Sequence, residues 1–562
     1  MHYRELAQAW AQMTAPGATF EIGTVEVQGR TLRAYKNAPA TVRDFWRSTA
    51  QFAERDYLVF QDERLTYGDS HRIVDAVAGW MAAQGIGPGE RVAVAMRNYP
   101  EWMLIYWACA VAGVACVGMN AWWTPEEMGY ALGDSAPRAI FADAERLERL
   151  AALPARADLQ VVAVRAPGAP GATPWSEVAA FAAPAPEVAV HPDDDMCIFY
   201  TSGTTGRPKG AQLTHRGCVN NVMSMAFATE TFKLANHRGR TRGDEPPPAA
   251  PIPAALITTP LFHVTANNCL AYGATIAGGK IVTMHRWDAG EALRLIEAER
   301  ITSMSGVPTM ARELIHHPRF GEHDLSSLGT LSGGGAQVPP DLVAKIDRAP
   351  MGAQAGTGYG MTEVCGIITS VYGDLFSDRS ASAGPVMPSF EARIVGDDGA
   401  DLPPGETGEL WVRGAQVIKG YLNQPDATAQ TITDGWLHTG DVARIDEEGF
   451  VFLVDRKKEM ILRGGENVYC AEVEAALYRH PDVAEACVFS IPDERLGEEV
   501  AAAVLLRAGA TAGVDEVRAH TAELIAKYKV PSRLWVVDQP LPRNASGKFV
   551  KRDVREATFG RG

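Results

Sequence analysis

The chain predicts an α/β fold, with a large N-terminal domain built on mostly parallel sheets and a small α+β domain at its C-terminal end. Three observations lead there. Short apolar runs alternate with helical stretches through most of the chain. The C-terminal part changes texture after a charged cluster. The length, 562 residues, leaves room at about 150 residues per domain for a large unit and a smaller one. No repeat of about 20 to 50 residues marks a solenoid or propeller.

Along the chain, RVAVAM (91–96), CIFYT (197–201) and ALITTP (255–260) read as strands, and Ala289 to Arg300 reads as a helix. From Trp102 to Trp123 the sequence carries no charged residue, and a run of about 20 apolar residues can cross a bilayer. This one is Ala/Gly-rich and broken by Gly113, Gly118 and Asn120. It reads as a buried helix passing into a buried strand, so no transmembrane segment is expected. Trp122 and Trp123 read as core or pocket wall. The stretch 231–254 is locally basic and then proline-rich, and reads as a solvated surface insertion. The charged cluster Asp455 to Glu459 lies between apolar runs and marks the boundary: residues 1–454, a hinge at 455–458, and 459–562. In the last unit a helix with Val473 and Leu477 on one face precedes strand-like EACVFSI and AAAVLL, an amphipathic helix around Val517, Leu524 and Tyr528, and RLWVV.

Composition excludes several classes. With 46% hydrophobic and 22% charged residues the chain is an ordinary globular protein. Lysines and arginines number 53 against 68 aspartates and glutamates, a net charge of −15. Such an acidic balance argues against a nucleic-acid partner. Eight scattered cysteines form no CxxC pair, which suits reduced thiols in a cytoplasmic protein rather than a zinc site or a disulfide framework. MHYRELAQAW has no secretory pattern.

The strongest chemical signal is YTSGTTGRPKG, Tyr200 to Gly210, between an apolar strand and a segment able to form a helix from a Thr214 cap. Gly203 and Gly206 let backbone N–H groups approach a polyphosphate. Thr201, Ser202, Thr204 and Thr205 add hydroxyl donors, and Lys209 adds positive charge. Lys209 is followed by Gly210, so the P-loop pattern GxxxxGK[ST] is not met. In GYGMTE (358–363), Gly358 and Gly360 permit a tight turn, Tyr359 offers a flat face to a purine, Thr362 can donate to phosphate, and Glu363 is a hard oxygen ligand for Mg2+. Asp441 in GWLHTGD (435–441) can accept from both hydroxyls of a ribose.

These motifs, with DRKKEMILRGGENVYCAEVE (455–474) and PLPRNASGK (540–548) following in order, closely resemble those of the acyl-adenylate-forming, AMP-binding superfamily of acyl-CoA synthetases, luciferases and peptide-synthetase adenylation domains. The resemblance spans nearly the whole chain. It implies that Lys548 bridges the substrate carboxylate and the α-phosphate, that Arg456 contacts the ribose, and that the small domain is mobile and turns about Lys458. It further implies that Gly334, Gly335 and Ala336 of LSGGGAQ wall the adenine, that Thr204 and Glu363 face Mg2+, and that Gly464, Gly465 and Glu466 line the pantetheine path. Phe262 and His263 of PLFH would border the acid. Two positions depart from the family's habit: Gln337 and Cys470 stand where proline is common.

The expected activity is therefore an ATP-dependent acid:CoA ligase using ATP, Mg2+ and coenzyme A on a fatty or aryl carboxylic acid. A carboxylate at neutral pH is a poor electrophile, so adenylation with loss of pyrophosphate must precede attack by a thiol. A stand-alone enzyme loading a carrier protein's pantetheine is the alternative. A catalytically silent nucleotide-binding protein is argued against by Lys209, Glu363 and Lys548. The partners expected are the acid and, left open, a second copy of the chain in a homodimer.

Overall fold

The computed structural model describes residues 2–201, 207–241, 251–334, 338–464, 466–544 and 547–561. Two large sheets form the bulk of it. The first has seven strands in the spatial order 209–214, 195–201, 115–118, 91–95, 139–142, 160–163 and 173–174. Its ladder is parallel except for the first pair. The second has eight strands in the order 366–372, 354–361, 330–333, 303–306, 254–257, 280–283, 56–60 and 63–66. Its interior pairs are parallel and each edge carries one antiparallel strand. Strands with four successive buried residues, such as 139–142 and 254–257, are what a sheet covered on both faces requires.

The uncharged run from Trp102 resolves as the sequence suggests. Helix α1 (Pro100–Ala112) is buried at every residue and leads into the buried strand 115–118. Among the described residues no helix is long and apolar enough to cross a membrane. The indole of Trp107 stacks on Trp46 at 5.2 Å and donates to the Tyr57 hydroxyl at 2.7 Å. Tyr272 packs on its other side at 5.5 Å, so one helix side chain ties three separate segments into the core.

Strands β1 (Asp195–Thr201) and β2 (Lys209–Thr214) lead into α2 (His215–Thr241). The Thr214 hydroxyl oxygen accepts from the Gly217 N–H at 3.0 Å, capping the helix. The insertion expected at 231–254 is corrected here: residues 231–241 are the last turns of α2, with Thr231, Phe232, Leu234 and Ala235 buried. Their apolar spacing at i, i+1, i+3 and i+4 had been masked by the neighbouring basic residues. Positions 242–250 lie outside the described residues. Buried amides join α2 to the second sheet. Asn221 donates to the Asn268 carbonyl at 3.0 Å and accepts from the Ile367 N–H at 2.9 Å, while Asn268 donates to the Cys365 carbonyl at 3.0 Å.

Strands β3 (Gln354–Met361) and β4 (Gly366–Tyr372) form an antiparallel pair at the edge of the second sheet. Strands β5 (Trp436–Ile445) and β6 (Phe450–Arg456) belong to a third, six-stranded antiparallel sheet. A five-stranded sheet built from residue 461 onward makes the smaller C-terminal domain, with helices α3 (Cys470–Leu477) and α4 (Lys551–Thr558) against it. Val473 and Leu477 are buried as their spacing suggests. The helix expected around Val517, Leu524 and Tyr528 is shorter than that: it covers 514–522, and Tyr528 sits exposed in a separate turn at 527–529. Ile525, just before that turn, still packs on the core of the small domain, whereas Tyr528 does not stand among the described core residues.

Trp107→Ala should cost about 3–5 kcal/mol, because it opens a cavity between Trp46 and Tyr272 and leaves the Tyr57 hydroxyl with Thr275 as its remaining partner. Chemical denaturation would read this as a lower midpoint; an unchanged midpoint would contradict the packing role.

Candidate functional site

A cleft of about 2720 Å³ opens between the sheets and the C-terminal domain. Its floor holds two carboxylates from different sheets. Asp441, on β5, is buried. Its Oδ2 accepts from the Tyr359 hydroxyl at 2.6 Å and its Oδ1 lies 3.1 Å from the Arg456 Nε. Arg456 is its cross-strand partner in the β5–β6 ladder, so strand register alone sets that ion pair. Burial pushes the Asp441 carboxyl up, with the Arg456 charge and the Tyr359 hydroxyl pulling the other way. Tyr359 rides on β3, where the ladder with β4 slips between Tyr359 and Gly360. A side chain at Gly360 would collide with the Gly366 carbonyl, so glycine is what allows the two strands to close.

Glu363 lies in the short turn 362–364 that follows β3, and it is buried. Its Oε1 accepts from the Tyr421 hydroxyl at 2.8 Å, and burial raises its pKa. The Lys209 ammonium stands 4.9 Å from the Tyr421 ring centroid. A tyrosine thus separates a cation on β2 from a buried carboxylate, and both Lys209 and Glu363 line the cleft. Tyr421 was not singled out by the sequence. It sits between the recognised motifs, and the Ala211 to Tyr421 bridge, with the flanking backbone bonds from Gln212 to Gly420 and from Leu422 to Gly210, brings it to β2.

Lys548 arrives from the C-terminal domain. Its N–H donates to the Asn544 Oδ1 at 3.0 Å, and Gly547, at φ +83°, takes the left-handed conformation of a turn. Arg543 anchors the turn through the Gly547 carbonyl at 2.9 Å and Glu485 at 2.9 Å. A Cβ on Gly547 would lie 3.0 Å from Val307 of the second sheet's connections, so the turn is docked on the N-terminal domain. Burial and the Arg456 charge lower the Lys548 pKa, while Asp441 and Glu363 raise it. Lys548, Arg456, Asp441 and Glu363 share one electrostatic environment.

Beside them is an aromatic corner. His263 leans on Phe262 at 4.6 Å, and Phe262 meets Trp122 edge-on at 5.7 Å. The Arg97 guanidinium lies 4.1 Å over Trp122. Phe262 is buried, whereas His263 and Trp122 line the cleft. Trp122 is thus pocket wall; Trp123 is buried against Tyr200 and also borders the cleft. Burial, then the Lys548 charge, pull the His263 pKa down to about 4, so the imidazole is neutral near pH 7. Val222, Met225 and Thr229, one face of α2, close this side, and the helical spacing i, i+3, i+7 is the signal that could have found them.

Other expected residues fall as follows. Thr201, Gly334, Gly358, Thr362 and Lys458 line the cleft. Ser202, Gly203, Thr204, Thr205, Gly206, Gly335, Ala336 and Gly465 lie outside the described residues. Gly464 and Glu466 belong to the hairpin 461–468 and are not among the residues lining the cleft. Among the described residues no group of three or more His, Cys, Asp or Glu could hold a metal by itself. Glu363 fits Mg2+ as a single buried carboxylate with phosphate oxygens and water completing the shell, the arrangement this ion favours.

Known proteins resemble this chain in both sequence and fold. The sequence profile of the AMP-binding enzyme family matches residues 45–422, and that of the AMP-binding enzyme C-terminal domain matches residues 472–548. A feruloyl-CoA synthase of Amycolatopsis sp is 38% identical over 494 residues, 87% of this chain and 93% of that protein. An indoleacetate–CoA ligase of Aromatoleum aromaticum is 35% identical over 513 residues, 91% and 95% of the two chains. The o-succinylbenzoate coenzyme A synthetase of Bacillus subtilis, solved with ATP and magnesium ion, superposes with a TM-score of 0.75 at 28% identity, covering 91% of this chain and 99% of its own.

Tyr359→Phe should weaken AMP binding about tenfold, since a hydrogen bond to a buried charge is lost; calorimetric titration would read it. The unfolded His263 titrates at 6.5 and the folded one at about 4, so the unfolded state binds the extra proton in that window and stability falls as pH drops through it. His263→Asn should flatten the melting-temperature slope between pH 6.5 and 4 relative to the unchanged chain.

Proposed function

Because the chain belongs to the AMP-binding enzyme family, and acts as an ATP-dependent acid:CoA ligase, we propose that the acid it activates is aryl rather than fatty. Feruloyl, indoleacetate and o-succinylbenzoate are the acids in the relatives' names, and each carries a ring. Trp122 and His263, backed by the buried Phe262, offer faces and edges to such a ring. The acceptor is coenzyme A, and the carrier-protein alternative is not favoured.

The reaction joins a carboxylate oxygen to the α-phosphorus of ATP and breaks the bond to pyrophosphate; a thiol then displaces AMP from the acyl carbon. The observation that carries the reading is the convergence of Lys548 on Asp441, Arg456 and Glu363 within one cleft. Lys548 places a positive charge between carboxylate and α-phosphate, where negative charge accumulates. Asp441 and Arg456 hold the ribose, with the Tyr359 ring against the purine and Gly334, Gly358 and Gly360 leaving room for it. Lys209, Thr201 and Thr362 engage the phosphates. Mg2+, held by Glu363, neutralises phosphate charge when bound. Neutral His263 packs beside the acid without competing for its charge.

The second half-reaction must exclude water. The C-terminal domain, beginning after the hinge 455–458, turns about Lys458, withdraws Lys548 and brings Gly464 and Glu466 to the pantetheine path. Eight free thiols, seven of them buried, support a reducing, cytoplasmic setting.

Lys548→Ala should slow acyl-AMP formation by about 10²–10³-fold and spare thioester formation from supplied acyl-AMP; equal loss in both would remove its role. A panel of aryl and aliphatic acids, scored by coenzyme A thioester yield, should favour the aryl members, and a preference for long aliphatic acids would refute the substrate class.

A further inference from the structure

Asp455 and Cys470 lie on opposite sides of Lys458, yet they touch. Asp455 is on β6, in the third sheet, and Cys470 is the first residue of α3 in the C-terminal domain. The Asp455 Oδ2 accepts a hydrogen bond from the Cys470 backbone N–H, one of the N–H groups that a helix start leaves without an internal partner. Its Oδ1 accepts from the Arg456 N–H at 2.7 Å. Lys551 on α4 stands close by, paired with Glu459 at 3.1 Å and Glu474 at 3.4 Å. Burial pushes the Asp455 carboxyl up to about 6, and the Lys551 charge opposes it.

We propose that Asp455 is a positioning residue that holds the C-terminal domain in the arrangement delivering Lys548 to the cleft, by accepting from the Cys470 N–H across the hinge. Any turn about Lys458 carries Cys470 away from Asp455, so the contact favours adenylation over thioester formation. The contact also depends on which residue stands at 470. This chain has cysteine there, whereas a proline would have no N–H to give. Proline is tolerated in the first helical turn, so Cys470→Pro deletes the donor while leaving α3 able to form. The Cys470 thiol itself donates to the Glu459 carbonyl at 3.1 Å. Cys470→Ala therefore removes the thiol and keeps the N–H.

The proposal rests on the two-step ligase reading, and the measurement separates the two. For each variant, labelled-pyrophosphate exchange into ATP with the preferred aryl acid gives the first half-reaction, and thioester yield from supplied acyl-AMP and coenzyme A gives the second. Their ratio does not depend on how much of the sample is folded. Cys470→Pro and Asp455→Ala should each lower the ratio of the first to the second about tenfold. Asp455→Asn, which keeps an acceptor, should recover part of the loss, and Cys470→Ala should leave the ratio unchanged. Ratios unchanged in both Cys470→Pro and Asp455→Ala would overturn the positioning role, as would a Cys470→Ala effect as large as that of Cys470→Pro. Absence of exchange in the unchanged chain would overturn the ligase reading, and this inference with it.

Discussion

Two buried carboxylates at the floor of one cleft, Asp441 and Glu363, are the constraint around which the rest is arranged. A carboxylate taken out of water is costly unless it is hydrogen-bonded and paired. Asp441 has Tyr359 and Arg456, and Glu363 has Tyr421. These partners come from three different stretches of chain, so the site exists only when the second sheet, the third sheet and the loop carrying Tyr421 are all in place. Lys548 adds a positive charge that a separate domain supplies. The charge balance of the site therefore depends on a residue of the C-terminal domain as well as on the two sheets.

The scaffold keeps those partners in register by unspectacular means. The connections after the parallel strands 303–306 and 330–333 carry Val307 and Gly334 to the cleft, the end at which open α/β sheets gather their ligands. Buried amides at Asn221 and Asn268 fasten α2 to the edge of the second sheet with directional bonds. An apolar contact could slide; an amide bonded at both ends leaves a donor or acceptor unsatisfied if it does. The same helix then presents Val222, Met225 and Thr229 to the cleft. The aromatic corner and the carboxylate pair thereby line one cleft.

Much of this was legible in the residues. The buried helix and strand at 102–118, the strands at 91–95 and 195–201, and the helix capped by Thr214 all follow from periodicity and capping, which act over a few residues. Where such rules misled, a longer-range term had won. Basic residues at the end of α2 made 231–241 look like surface, but packing of Phe232 and Leu234 beneath them kept the helix going. At Tyr528 the converse held: the apolar spacing was there and the core was not.

The amino-acid order alone determined which chemical groups this protein possesses and that they belong to an adenylate-forming ligase, because a motif is a local list of donors, charges and flexible turns. It did not determine the partners of those groups. That Tyr421 bridges Lys209 and Glu363, that Tyr359 donates to Asp441, and that Asp455 reaches the start of α3 were settled by the folded chain. Each of these pairs joins residues separated in sequence, and their proximity is set by strand register and domain docking, quantities that no short window of sequence contains.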